Sequence, residues 1–196
     1  MKNSKTKYIT KVGMLSAVAA LLMLFDFPLW FAPAFYKIDL SELPPLIGGF
    51  ALGPLAGILI EGLKVVLHFL LKGTSTMGIG DISNFIVGCS FIIPASLIYK
   101  YNKSKKGAFI GMISGTIILA IVGSAFNAFL LIPAYSVILK FPIDKIVAMG
   151  TAINKNINSI NSLVLYCVVP FNLLKGVVVS LITMVIYKKI SVILKG

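Results

Sequence analysis

Long apolar stretches separated by short, lysine-bearing connectors constrain this chain more than any motif it carries. Residues 8–27, 81–99, 107–133 and 163–187 each approach or exceed the ~20 residues an α-helix needs to cross a ~30 Å hydrocarbon core, and 55–71 falls just short of it. Lipid offers no partners for backbone N–H and C=O groups, so such stretches fold as helices. Composition agrees. The chain is 58% hydrophobic and 12% charged, with a mean hydropathy of +1.00. Soluble domains run at about 45–50% apolar and about 25% charged. The first apolar stretch is long and flanked by lysines, which reads as a retained span rather than a signal peptide.

The expected organisation is an all-α membrane protein, one integral-membrane domain over 1–196 with a basic N-terminal tail at about 1–7. A sixth apolar segment, 45–52, is short for a span and is followed by the helix-breaking pair Gly53-Pro54. An aromatic- and proline-rich loop at 28–44, a Gly/Thr/Ser loop at 72–80, a basic loop at 100–106 and a polar loop at 141–162 join the segments. Six spans place both termini on one side. Lysine counts then orient the chain. The N-terminal tail, the 100–106 loop and the C-terminal tail hold eleven lysines, including Lys2, Lys188, Lys189 and Lys195, and the opposite side holds five. The lysine-rich side is expected to be cytoplasmic. The net charge of +12 is thereby a topology signal rather than a nucleic-acid signature. Cys89 and Cys167 lie in apolar segments and read as small core residues.

Small residues recur at helical spacing: Gly49, Gly53 and Gly57; Gly107, Gly111 and Gly115; Gly13 with Ala17, and Ser16 with Ala20. Such rows let membrane helices approach closely. The first-span pairs serve either internal packing or a partner protein.

Polar groups inside the spans carry the functional signal. Asn172 and Lys175 stand three residues apart on one face of the last span. A charge at that depth costs about 2.5–3.5 kcal/mol on insertion scales, so it faces the protein interior or a watery cavity. Asn127 lies about 30 Å along the fifth span at 1.5 Å per residue, near its outer end. Asn84 sits one turn into the fourth span from the same side. Four polar groups from three helices thus reach similar outward depths, which describes a small-molecule pocket. Interhelical hydrogen bonding is the other reading, above all for Asn84. Amides that donate and accept, beside a donor-only ammonium, suit a flat heterocycle with alternating carbonyl and N–H groups. Trp30, Phe31, Phe35 and Tyr36 form either a lid over such a ligand or an interfacial aromatic belt.

Other chemistries lack their parts. Gly57 and Gly62 have the spacing of a phosphate loop's glycines, but Leu63 stands where Lys is required and Lys64 where Ser or Thr is. No Cys/His set has metal spacing, and His68, the sole histidine, reads as structural. No nucleophile has a base nearby, so an enzyme is not expected. A stand-alone secondary transporter would need paired intramembrane acids or half-helix repeats, and Glu61 is the only acid well inside a span.

Five stretches, in order, carry a resemblance: Tyr36 to Pro44 (YKIDLSELP), Gly53 to Glu61 (GPLAGILIE), Asn84 to Gly88 (NFIVG), Asn127 to Tyr135 (NAFLLIPAY) and Pro170 to Gly176 (PFNLLKG). Together they resemble the riboflavin-specific substrate-binding (S) components of energy-coupling-factor (ECF) vitamin transporters, over nearly the whole chain. The resemblance implies a six-helix bundle that takes riboflavin, or its phosphate FMN, from outside as substrate rather than cofactor. It implies a membrane-embedded coupling protein (T component) and two cytoplasmic ATPases as partners. Asn127, Asn172 and Lys175 would hold the isoalloxazine ring, with Asn84 nearby. The loop through Phe35, Tyr36, Asp39 and Leu40 would close over it, and Gly13, Ala17 and Ala20 would face the coupling protein. The asparagine-rich stretch 154–161 departs from the family pattern.

Overall fold

The computed structural model describes residues 2–74 and 76–195, without the side chains of 2–4, 188–189 and 191–195. The side chains of Lys2, Lys188, Lys189 and Lys195 therefore lie outside the described set. Helix α1 (Lys2–Leu24) starts among the lysines, so the basic segment expected as a tail is the first turns of a helix. The aromatic segment then doubles back through an antiparallel pair, β1 (Phe27–Pro28) and β2 (Lys37–Ile38), with Phe27 opposite Ile38. Helices α2 (Leu43–Leu52), α3 (Pro54–Lys72), α4 (Ile79–Tyr101) and α5 (Lys105–Phe126) follow. A π-helical turn (Asn127–Leu131) joins α5 to α6 (Ile132–Ile138). Helix α7 (Ile143–Thr151) precedes α8 (Ile160–Leu163), a second π-helical turn (Val164–Val168) and α9 (Val169–Lys195).

Among the described residues, five helices are long and apolar enough to cross a membrane: Lys5–Leu24, Pro54–Lys72, Ile79–Tyr101, Lys105–Ile138 and Ile160–Tyr187. The sixth segment, α2, has ten residues. That is about 15 Å, half a hydrocarbon core. Proline at its start and Gly53 at its end (φ 105°) limit it, and Pro54 opens α3 at the helix position that tolerates a missing N–H. Its burial is nearly complete: Leu43 to Phe50 are all shielded from solvent. The polar loop expected over 141–162 contains helix α7. Ile143, Ile146, Val147 and Gly150 share one face at 3–4 spacing, and Ile146 and Gly150 are buried.

The two π-helical turns share a setting, each lying just ahead of a proline. Proline lacks an N–H and its ring clashes with the carbonyl four residues earlier. Pro133 and Pro170 each sit two residues beyond a π-helical turn. Just before each proline the ladder widens, with Ile132 N–H bonding to the carbonyl of Asn127 and Val169 N–H to that of Val164. The helix thus carries proline without breaking, and α5 to α6 continues past Pro133, where the span was expected to end. Such wide turns gather at functional sites.

Glycine rows hold the bundle together. A Cβ on Gly111 would meet the Ala95 carbonyl, and one on Gly115 would meet the Phe91 carbonyl, so α5 lies directly on α4. Gly57 similarly brings α3 against Gly49 of α2. These close approaches place Asn84, Asn127 and Asn172 at one end of the bundle.

Candidate functional site

A cleft of about 150 Å³ opens at that end, between the first turns of α4, the π-helical turn after α5, Tyr135 of α6 and the start of α9. Phe35, Tyr36 and Lys37 lie across it from the β1–β2 loop. Four of the polar residues expected to converge do so: Asn84, Asn127, Asn172 and Lys175 all line the cleft. Asn127 donates from Nδ2 to the Gly123 carbonyl at 2.7 Å and accepts from the Tyr36 hydroxyl at 2.8 Å. Burial, then the neighbouring Tyr135 and Cys167, push the Tyr36 phenol up from its ordinary pKa, so it stays protonated and donates. Among the described residues, the Nδ2 of Asn172 and the Oδ1 of Asn84 are buried without a hydrogen-bond partner. Leaving such groups unpaired costs about 1–3 kcal/mol each, which a ligand can recover. The absence of a Cβ on Gly123 makes room for the Asn172 amide.

The residues of the aromatic loop lie on two sides. Phe35 and Tyr36 face the cleft, with Tyr36 stacked obliquely on Phe35 and 5.7 Å from Phe171 between ring centres. Trp30 points outward at 84% exposure, as an interfacial aromatic does. The loop is tied to the end of α3 through Asp26, whose Oδ2 lies 3.0 Å from Lys72 and 3.3 Å from Lys37. Partial burial pushes the Asp26 carboxyl up, and the bonds and charges of the two lysines outweigh it, leaving the pKa below the ordinary value.

Lys175 does not stand alone. Its Nζ lies 2.8 Å from Glu42 Oε1 and 3.7 Å from Asp39 Oδ2. Glu42 is also 3.4 Å from Lys64, which pairs with Glu61 at 2.6 Å and donates to the Ser41 hydroxyl at 3.2 Å. Three carboxylates and two ammoniums form one buried cluster joining α9, the start of α2 and α3. Gly88 of α4 packs directly on the Glu61 carboxylate. Sequence reading missed Glu42, Lys64 and Glu61 as members of this site. The available signal was Glu61 and Lys64 at i,i+3, two opposite charges on one face of an apolar helix.

The other expected residues fall around the cleft. Asp39 is buried behind Lys175, accepting from the Ser41 backbone N–H at 2.7 Å, and does not line the cavity. Leu40 packs against the cluster of Leu43, Phe91 and Val179. On α1, Gly13 and Ala17 are exposed, whereas Ala20 is 1% exposed and faces the bundle. His68 Nδ1 stands 3.5 Å from Asp81. Among the described residues no group of three His, Cys, Asp or Glu side chains could hold a metal ion.

Comparison with known proteins agrees with this architecture. The family described as "ECF transporter, substrate-specific component" matches residues 7–187. The riboflavin transporter FmnP of Bacillus subtilis is 35% identical over 95% of this chain and 93% of its own length. The riboflavin transporter RibU of Staphylococcus aureus is 33% identical over 97% of this chain and 94% of its own. A solved structure, described under "Structure and mechanism of the S component of a bacterial ECF transporter", superposes with a TM-score of 0.75 at 31% identity, covering 98% of this chain and 99% of that one.

Proposed function

This chain belongs to the family of substrate-specific components of ECF transporters, and on that premise we propose that it captures riboflavin and delivers it across the cell membrane. The supporting observation is the cleft itself. Asn84, Asn127 and Asn172 offer amide donors and acceptors, and Lys175 offers donors, around a slot walled by Phe35, Tyr36, Phe91 and Phe171. A flavin presents a planar ring whose pyrimidine edge alternates carbonyls and an N–H, the complement of that set. Relatives named as riboflavin transporters align over 95–97% of the chain, which supports the same ligand here.

Asn127 and Asn172 read the pyrimidine edge, and Lys175 donates to a ring carbonyl or a ribityl hydroxyl. The 150 Å³ cleft is smaller than the about 300–1,000 Å³ of ordinary ligand sites. Entry therefore requires the loop carrying Phe35 and Tyr36 to move, breaking the Tyr36–Asn127 hydrogen bond, and to close again over the ring. The lysine bias supports an outward-facing cleft with both termini in the cytoplasm. Gly13 and Ala17 on exposed α1 face the coupling protein, and the T component with two ATPases supplies the energy.

Purified protein tests the ligand directly. A yellow preparation with a flavin spectrum, and tight saturable binding of added riboflavin, is the expected result. A colourless protein that ignores riboflavin overturns the reading. Competition by FMN then ranks the two flavins.

A further inference from the structure

We propose that Glu42 is a positioning residue for the flavin site: it fixes the Lys175 ammonium so that one of its donors points into the cleft. This inference rests on the reading of the cleft as the riboflavin site. An ammonium has three donors on a flexible four-carbon stem and no preferred direction of its own. Here two acids take its inner side. Glu42 Oε1 fills one donor at 2.8 Å and Asp39 stands 3.7 Å away on the other. Both Glu42 and Lys175 line the cleft. The remaining donor is left for whatever occupies it.

Glu42 is itself held. Its Oε1 is 3.4 Å from Lys64, a residue with no exposed surface, and Lys64 is anchored at 2.6 Å by the equally buried Glu61. Glu42 immediately precedes α2, whose residues Leu43 to Phe50 are buried, so its backbone is fixed as well. The side chain is 4% exposed. A carboxylate so constrained can set the direction of a neighbour, because it has nowhere else to go. The benefit to binding is preorganisation: the lysine loses its freedom in folding rather than when the ligand arrives. Glu42 is thus the link between the sealed ion pair of α3 and the open face of α9.

Riboflavin titrations of the full-length protein in detergent, in a double-mutant cycle, test this. Glu42→Gln keeps the shape and removes the charge, leaving Asp39 as the one acid paired with Lys175 and a weaker, neutral acceptor at position 42. In the native background it is expected to weaken riboflavin binding by about tenfold, and in a Lys175→Ala background by less than about twofold, because coupled neighbours are non-additive. The absorption envelope of bound riboflavin in Glu42→Gln should also move towards that of Lys175→Ala. Should Glu42→Gln fail to fold, Glu42→Asp, which keeps the charge and withdraws it by one methylene, should show a smaller loss with the same dependence on Lys175. An equal penalty in both backgrounds, or none in either, overturns the proposal. If Lys175→Ala weakens binding while neither Glu42 variant does, the cleft reading stands and the positioning role fails. If Lys175→Ala itself leaves binding unchanged, the positioning role fails, and only if Asn172→Ala does so as well does the cleft reading fall with it.

Discussion

Lys64 and Lys175 invite comparison, since each is a lysine in an apolar helix, each is paired with acids, and the two share Glu42. They differ in what lies beyond the pair. Lys64 is enclosed by Glu61, Glu42 and Ser41 with no exposed surface, and it lines no part of the cleft. Lys175 has acids on one side and the cavity on the other. The same chemistry is therefore sealed in α3 and open to a cavity in α9. Cost of burial alone does not mark a binding residue. Access does, together with unpartnered neighbours such as the Asn172 amide.

The sharpest way to break this contrast is to remove each lysine. Lys64→Met leaves Glu61 and Glu42 without their shared counter-ion, and breaking a buried pair on one side costs about 3–5 kcal/mol. Thermal unfolding in detergent should show a large loss of stability with riboflavin absent. An unchanged melting temperature would mean that Lys64 is not holding the cluster. Lys175→Ala should do the reverse, since Glu42 keeps Lys64. Its expected cost is about 1.5–3 kcal/mol of riboflavin affinity, the range of a hydrogen bond to a charged group, with a smaller drop in melting temperature than Lys64→Met gives. Equal loss of stability in both variants would erase the distinction.

Asn172→Ala sharpens the ligand side alone. Its Nδ2 bonds nothing among the described residues, so stability should hold while riboflavin affinity falls by about 0.5–1.5 kcal/mol, the value of a neutral hydrogen bond. Isothermal titration beside a melting curve separates the two. The smallest effect belongs to the loop. Asp26→Asn weakens the tie to Lys37 and Lys72, and exposed pairs are worth about 0.2–1 kcal/mol. Riboflavin release, followed by recovery of flavin fluorescence, should quicken by about twofold to fivefold. The sign with pH follows from the lowered pKa of Asp26. The tie is fully present above the ordinary carboxylate pKa of about 4 and is lost as pH falls through the lower folded value. Release from the native protein should therefore speed up on acidification, and the Asn variant should lack that part of the response.

Much of this was legible in the chain. Long apolar runs marked the long helices to within a few residues, because burial in lipid leaves the backbone no other choice. Asn127, Asn172 and Lys175 stood out because polar groups at depth are expensive. Other features were hidden for definite reasons. Helix α7 reads as loop in the sequence because its apolar face is only four residues, interrupted by Asp144 and Lys145 and followed by the asparagine-rich stretch 154–161. Pro133 looked like a helix end because a π-helical turn, which absorbs a proline, has no composition of its own.

By itself the sequence determined that the protein lives in a membrane, which helices are long enough to cross it, and which residues are too polar to face lipid. Those properties are local: they depend on the length and chemistry of one segment at a time. Only the tertiary structure decided that Lys175 shares Glu42 with Lys64, that Tyr36 reaches Asn127 across 91 positions, and that Ala20 turns inward while Ala17 does not. Those facts depend on the rotation and approach of helices against one another. Glycine contacts between α4 and α5 and the two widened turns set that geometry, and no single segment encodes it.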